Sequence, residues 1–464
     1  MASQSMAAAD VKAVAGAGKN YGPALAMLTS LFFMWGFITC LNDIMIPHLK
    51  GLFVMTNLET MLIQFTFFGA YFLMSLPAGF IVGKVGYQRG IVLGLVTTGI
   101  GALLFYPASI IINYAFFLFA FFVLASGITI LQVAANPYVA ILGKPENASS
   151  RLNMTQALNS FGTTIAPLLG AVFIFVDESA PAIEKAESVQ MPYIGIAVTL
   201  FLIALVFAFA KLPKIESQNE TKDVSASSKK SAWNFPHLVK GAISIFLYVG
   251  AEVAIGSFLI LFFAEPEIAG LSHQAGAKYV ALYWGGAMIG RFLGAVMLSD
   301  TVKDLKYYGL ILAIAVGATI LGWSINKDIE MALIFLAFTG LNILAFMIGK
   351  NKPARTLAIF AAIVVGLVST TVFFSGHFAM WTIVSVGLFN SIMFPTIFTL
   401  AIDGLEEHTS QGSGILCMAI VGGAIIPLLM GYVSDIMGYH HAFIITLACY
   451  AYIFYYAVRG HLHK

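Results

Sequence analysis

Apolar residues along the chain gather into long windows separated by short polar turns. The windows lie at about 24–47, 60–83, 91–111, 114–142, 153–177 and 192–211, and again at about 239–263, 279–299, 307–325, 329–350, 355–374, 377–403, 411–435 and 440–459. A bilayer-crossing helix needs about 20 consecutive apolar residues, so the pattern predicts an all-α membrane protein with fourteen such helices. Between Lys211 and Lys240 the chain turns polar (ESQNETKDVSASSKK), the composition of a flexible linker. The expected organisation is a cytoplasmic tail at 1–23, a six-helix N-terminal bundle at 24–211, a cytoplasmic linker at 212–238, a C-terminal bundle at 239–459 and a cytoplasmic tail at 460–464. The first tail is small and polar and lacks a cleavage-site pattern, so it reads as retained.

Orientation follows from the Lys and Arg residues, which concentrate in cytoplasmic loops. With the N-terminus inside, nineteen fall on the cytoplasmic side, four outside (Lys50, Lys185, Lys278 and Lys327), and Arg291 lies within a window. Both termini are therefore expected in the cytoplasm. Internal similarity supports two related halves: 135–170 has a counterpart in 393–431, with Pro137 and Pro395 separated by 258 positions and Pro167 and Pro427 by 260. A fainter echo joins GFIVGKVGYQR (79–89) to GYVSDIMGYHH (431–441), each with two glycines seven apart, and suits an inverted repeat. The second half is longer by about 43 residues, which places an inserted helical hairpin at about 302–353. The architecture is thus twelve core helices plus two.

Composition narrows the function. The chain is 59% apolar and 10% charged, against about 45–50% and 25% for a soluble domain, and its mean hydropathy is +0.90. A net charge of +2 with no basic face argues against nucleic acid as a partner. Cys40, Cys417 and Cys449 all sit in apolar windows and read as packing residues, not a disulfide framework or zinc site. No GxxxxGK, HExxH or GxSxG occurs, so an enzyme is not expected and no cofactor or metal is implied. His48, His273, His377, His408, His440 and His441 fall at helix ends or loops and read as solvated. Gly286, Gly290 and Gly294 form a packing stripe, and the sequon at Asn147 falls on the cytoplasmic side, where it has no use.

Charge within the windows is the informative feature, because an ionised side chain at a helix centre costs about 2.5–3.5 kcal/mol even on the lenient insertion scale. Asp43 and Glu252 lie in the windows that open the two halves, so a pseudosymmetric fold brings both to a central cavity, where a carboxylate can take up a proton or Na⁺. The plainer alternative leaves Asp43 shallow and hydrated. Arg291, in the eighth window, is a possible ion-pair partner, or else snorkels or joins one helix pair. Asn42, Gln64, Gln132, Asn136, Gln156, Asn159 and Asn390 add uncharged groups that both donate and accept. Gln132 with Asn136, and Gln156 with Asn159, share helix faces. Such amides suit a neutral polyhydroxy solute, and Trp35 offers a ring face for it; amides also join helices in membranes.

Six segments carry a family resemblance: FFMWGFITCLNDIMIPHLKGLF, FGAYFLMSLPAG, GITILQVAANPYVAILG, RLNMTQALNSFGTTIAP, GLFNSIMFPTIFTLAI and TSQGSGILCMAIVGGAIIPLL. They resemble the fucose:proton symporter family of the major facilitator superfamily, above all its bacterial glucose/galactose transporter branch. The resemblance implies a two-bundle rocker-switch carrier of the bacterial inner membrane, a monomer surrounded by lipid, importing a sugar with a cation. It also implies proton coupling at Asp43, a cavity role for Trp35 and sugar contacts by Gln156 and Asn159. One departure stands out: fucose permeases have Glu where this chain has Gln132, and Gln is expected in them at Glu252. The coupling ion, proton or Na⁺, therefore stays open, as does the sugar: glucose or galactose first, with N-acetylglucosamine, fucose or fructose as alternatives. A passive facilitator or sugar sensor is a second reading, and an enzyme acting on a lipid-linked sugar a remote third.

Overall fold

The computed structural model describes residues 22–142, 148–177, 180–210, 212, 232–297, 305–350, 352–405 and 409–462. Most of the expected N-terminal tail and linker, and the sequon at Asn147, lie outside the described residues. Helix occupies every one of the apolar windows. The first half comprises α1 (Gly22–Phe53), α2 (Asn57–Thr60), α3 (Leu62–Val85), α4 (Tyr87–Leu103), α5 (Phe105–Ile111), α6 (Tyr114–Ile141), α7 (Ala148–Phe173), α8 (Ala182–Ser188) and α9 (Gln190–Phe209). The second half comprises α10 (Pro236–Ala264), α11 (His273–Met297), α12 (Leu305–Asn326), α13 (Ile329–Gly349), α14 (Pro353–Phe373), α15 (Gly376–Asn390), α16 (Met393–Ile402), α17 (Thr409–Met418), α18 (Gly422–Ala442) and α19 (Ile444–Tyr455).

Local chemistry sets the boundaries. Thr56 and Glu59 form a reciprocal capping box that starts α2. Asn113 caps α6 through its side chain, and proline opens α10 and α14, where its missing N–H has no partner to lose. Between α15 and α16 the chain bends by 40°. Pro395 explains the position of the bend, because its ring clashes with the carbonyl four residues earlier, at Ser391, and it cannot donate to it.

Ten helices among the described residues are long and apolar enough to cross a membrane, or eleven if the bent α15–α16 pair is counted as one. Fourteen spanning helices were expected, and this count gives ten or eleven among the described residues. The long helices α7 and α11 are missing from it for a physical reason: they carry Gln156, Asn159, Lys278 and Arg291, and they pack against each other rather than presenting a wholly apolar surface.

Packing repeats between the halves. In the first, α1 lies on α7, α4 on α6 and α4 on α9; in the second, α10 lies on α18, α14 on α15 and α14 on α19. Helices α12 and α13 pack on each other and beside α11, outside this repeated pattern, and α12 is mostly exposed. The halves meet where α7 faces α11, α1 faces α10, and α2 and α3 face α18. Two glycines of the fainter echo share one backbone conformation: Gly86 has φ 83°, ψ 165° and Gly438 φ 81°, ψ 166°, a region essentially restricted to glycine. They fall at the end of α3 and near the end of α18, two helices that pack together, so the echo reflects a structural repeat.

Missing side chains allow the closest crossings. A Cβ on Gly36 would lie 2.2 Å from the Asn159 carbonyl oxygen, and one on Gly162 2.3 Å from that of Phe33, so α1 and α7 meet backbone to backbone. The stripe Gly286, Gly290 and Gly294 packs on Leu388, Ser391 and Ile392, as the sequence suggested. At the same crossing a Cβ on Gly387 would lie 2.0 Å from the Tyr283 carbonyl oxygen. Gly387→Ala is expected to push α15 from α11, at about 1–3 kcal/mol for overpacking, and to lower the thermal midpoint measured by fluorescence-detected gel filtration in detergent. An unchanged midpoint would contradict that close approach.

Candidate functional site

Asp43 projects from α1 into the seam between the halves and is 4% exposed. Its Oδ1 accepts from Gln64 Nε2 of α3 at 3.1 Å, with Ser257 Oγ of α10 at 3.3 Å. Its Oδ2 accepts from Trp284 Nε1 of α11 at 3.2 Å, with Cys40 Sγ of α1 at 3.8 Å. Gln64 Nε2 also donates to Ser257 Oγ at 2.9 Å. Four polar groups thus surround one carboxylate, two from each half, with the single Ser257 hydroxyl proton shared between Asp43 and the Val253 carbonyl at 2.8 Å. Gly256 makes the approach possible, since a Cβ there would lie 3.0 Å from the Trp284 ring and 3.2 Å from Asp43 Oδ2. Asp43 is therefore not the shallow, hydrated residue of the plainer alternative. Cys40 is its neighbour rather than simple packing, and Cys417, read as a packing residue, is exposed.

Glu252 lies on α10 five positions before Ser257, about 7.5 Å along the axis at 1.5 Å per residue. Its carboxylate meets the Tyr248 hydroxyl at 2.7 Å, and its main-chain carbonyl accepts from the Tyr283 hydroxyl at 3.2 Å. Asn390, fully buried, donates from Nδ2 to the Tyr283 hydroxyl at 3.0 Å and accepts at Oδ1 from Tyr450 at 2.9 Å. Tyr248 also lies 3.0 Å from the Asn390 main-chain carbonyl. Glu252 and Asn390 therefore belong to one polar network inside the second half. Arg291 is within electrostatic reach of Glu252, and its guanidinium donates across the seam to Ser160 of α7.

The remaining expected residues divide. Gln64 joins Asp43 directly; among the described residues, no partner reaches the buried Asn42 Nδ2, Gln64 Oε1 or Asn136 Oδ1 atoms. Gln132 donates to the Tyr71 hydroxyl at 3.1 Å. Asn159 donates to the Phe32 carbonyl at 3.0 Å, a helix-joining contact. Gln156 lies one turn before Ser160, whose hydroxyl donates to the Gln156 carbonyl. Trp35 is buried with its ring 4.4 Å from that of Phe32.

A second inter-half contact lies where α1 ends. Asp435 of α18 accepts from the main-chain N–H groups of Asn57 at 2.7 Å and Leu58 at 2.9 Å, the free amides that begin α2. Lys50 donates to Asn57 Oδ1 and to the Tyr439 hydroxyl, and Tyr439 donates to Asn57 Oδ1 at 2.6 Å. A cavity of about 780 Å³ opens at this end, lined by Pro47, His48, Phe175, Asp177, His273 and Gln274. His48 corrects the expectation of a solvated residue: it is buried and donates to the Lys185 carbonyl at 2.8 Å. Trp284, Ser257, Tyr248, Tyr283 and Asp435 escaped sequence reasoning. Only Asp435 left a trace, since it occupies the position in the echo where the first copy has Gly83.

The profile described as Major Facilitator Superfamily matches residues 24–350. A glucose/galactose transporter of Brucella abortus is 50% identical over 443 residues, covering 95% of each chain. The chain belongs to the major facilitator superfamily, in its fucose:proton symporter family. An L-fucose-proton symporter of Escherichia coli is 32% identical over 464 residues, covering 96% of this chain and 94% of its own. The crystal structure of the major facilitator superfamily transporter FucP in the outward conformation superposes with a TM-score of 0.65 at 31% identity, covering 96% of this chain and 100% of that one. The protein is thus a multi-pass membrane transporter and not an enzyme.

Trp284→Phe removes the indole N–H that reaches Asp43 from the second half. Loss of one hydrogen bond of about 1–1.5 kcal/mol is expected to speed alkylation of the buried Cys40 by about five- to tenfold, measured by mass spectrometry of the Cys40 peptide. An unchanged rate would show that this bond does not hold the seam.

Proposed function

We propose that the chain imports a neutral hexose of the glucose or galactose type together with a cation, proton or Na⁺, by alternating access. The observation that carries this reading is Asp43, whose donors come from both halves. A ligand shifts a conformational equilibrium only through different affinities for its states, and a carboxylate whose partners are divided between two moving bodies has that property. The names of the relatives, a glucose/galactose transporter and an L-fucose-proton symporter, favour a sugar as cargo. The unpaired buried Asn42 Nδ2, Gln64 Oε1 and Asn136 Oδ1 favour a polyhydroxy solute, because a buried unpaired polar atom costs about 1–3 kcal/mol until something bonds it. In this reading Asp43 and Glu252 take the cation. Trp35, Asn42, Gln64, Gln132, Asn136, Gln156, Asn159 and Asn390 contact or frame the sugar, and Arg291 tunes Glu252.

The architecture belonging to this reading is twelve core helices in two bundles, 24–211 and 239–459, with α12–α13 as the hairpin inserted at about 302–353. The distribution of Lys and Arg favours both termini on the cytoplasmic side, and the bacterial relatives favour an inner membrane. The end at which α1 finishes is then the outer one, and the Lys50–Asn57–Asp435–Tyr439 contacts hold the halves together there, beside the cavity. A monomer suffices, since both halves of the site lie on one chain.

Labelled sugar uptake into vesicles under imposed proton or Na⁺ gradients tests the class. Uptake that rises with one gradient is expected, and indifference to both would leave a passive facilitator. Asp43→Asn and Glu252→Gln are each expected to abolish accumulation while sugar exchange persists; full accumulation by both variants would sink the assignment. Asp435→Asn weakens a charge-assisted pair of hydrogen bonds worth about 1.5–3 kcal/mol. It should raise reactivity of a cysteine introduced at Leu58, which meets Asp435 through its main chain only, toward an impermeant maleimide by about tenfold or more, and equal reactivity would argue that other contacts hold the halves together there.

A further inference from the structure

The hydroxyl of Tyr248 carries one proton and meets two acceptors, Glu252 Oε1 at 2.7 Å and the Asn390 main-chain carbonyl at 3.0 Å. It can donate to only one of them at a time. Asn390 is the last residue of α15, so its carbonyl is among those that have no partner within their own helix. The 40° bend between α15 and α16 begins there, at the break that Pro395 imposes. Tyr450 donates to Asn390 Oδ1, and Asn390 Nδ2 donates to the Tyr283 hydroxyl, which itself donates to the Glu252 main-chain carbonyl. Of these three tyrosine hydroxyls, Tyr248 is the one that meets two acceptors.

The geometry points to Tyr248 as a positioning residue that ties the proton on Glu252 to the bend between α15 and α16. When Glu252 holds a proton, its carboxyl donates to the Tyr248 oxygen, and the Tyr248 proton caps the Asn390 carbonyl. When that proton leaves Glu252 for water, the carboxylate becomes the stronger acceptor and Tyr248 turns to it. The Asn390 carbonyl loses its cap, and α16 is released to swing about the break. No covalent bond changes apart from the proton that departs from Glu252. The groups that act on Glu252 are Tyr248 of α10, Tyr283 and Arg291 of α11, Tyr450 of α19 and Asp43 of α1. None of these except Tyr248 touches both Glu252 Oε1 and the Asn390 carbonyl. The inference rests on the symport reading in one respect, that Glu252 gains and loses a proton during transport.

The test uses the full chain in liposomes, with spin labels on Phe378→Cys and Thr399→Cys. Both positions are exposed, one on α15 and one on α16. Cys417 is replaced by Ala, and the buried Cys40 and Cys449 are left in place. The label-to-label distance distribution is expected to shift between acid and alkaline pH in the otherwise native chain. Tyr248→Phe should abolish the shift, and Glu252→Gln, which can still donate to Tyr248, should hold the acid distribution at both pH values. In parallel, Tyr248→Phe should lower the sugar accumulation ratio by about tenfold or more, the scale of one hydrogen bond to a charged group, and lower exchange much less. A native chain whose distribution ignores pH, a Tyr248→Phe chain that shifts like the native one, or a Glu252→Gln chain that still responds to pH would each overturn the link. If Tyr248→Phe does not fold, the Glu252→Gln result alone decides. A pH shift that depends on Tyr248 in a chain whose uptake ignores every cation gradient would uphold the link and remove the symport reading.

Discussion

A carboxylate buried between two helical bodies must be surrounded by donors, and at Asp43 those donors are drawn from both bodies. Gln64 and Cys40 belong to the first half, Ser257 and Trp284 to the second. Separating the halves at this level leaves the carboxylate with half of its partners, so either water or a cation must replace them. This constraint also accounts for nearby features that would otherwise look unrelated. Gly256 lacks a side chain because Asp43 and Trp284 occupy its place, and α11 sacrifices apolar character to carry groups that cross the seam.

The second acid is held differently. Glu252 does not reach the other half; its bonds run to Tyr248, Tyr283 and, through them, Asn390 and Tyr450. The two carboxylates are therefore held in different surroundings. One sits at the contact between the bodies, and the other sits within the body that contains the proline-induced bend. Arg291 connects them loosely, acting on Glu252 by its charge while its hydrogen bond goes to Ser160 in the first half. Helix α11 thus carries two side chains that bond across the seam, Trp284 and Arg291.

The lock at the end of α1 shows how a repeat can be used asymmetrically. The echoing segments at Gly86 and Gly438 share the same backbone geometry, yet the first has Gly83 where the second has Asp435. Only the second can offer a carboxylate to the free amides of a neighbouring helix, here Asn57 and Leu58. The contact between α2 and α18 is thus charge-assisted, and the other copy has no side chain for it.

The apolar windows and the two acids set within them, Asp43 buried and Glu252 half-buried, were legible in the sequence, because hydropathy and an ionisable group inside a lipid-length window carry their energetic meaning locally. The glycine stripe on α11 and the paired glycines of the echo were legible for the same reason: a missing side chain at a regular spacing has one plausible use in helix packing. The partners of the acids were not. Trp284 and Ser257 look like ordinary members of apolar helices, and more than two hundred positions separate them from Asp43. Tyr248, Tyr283 and Tyr450 are indistinguishable by composition from the aromatic residues that face lipid. Asn159, read as a sugar contact, donates to a helix backbone in the arrangement seen, and His48, read as solvated, is buried. The chain by itself determined where helices form and which charges have to be hidden; the docking of one half on the other decided which atoms hide them, because hydrogen bonds depend on distances of a few tenths of an ångström that no linear pattern encodes.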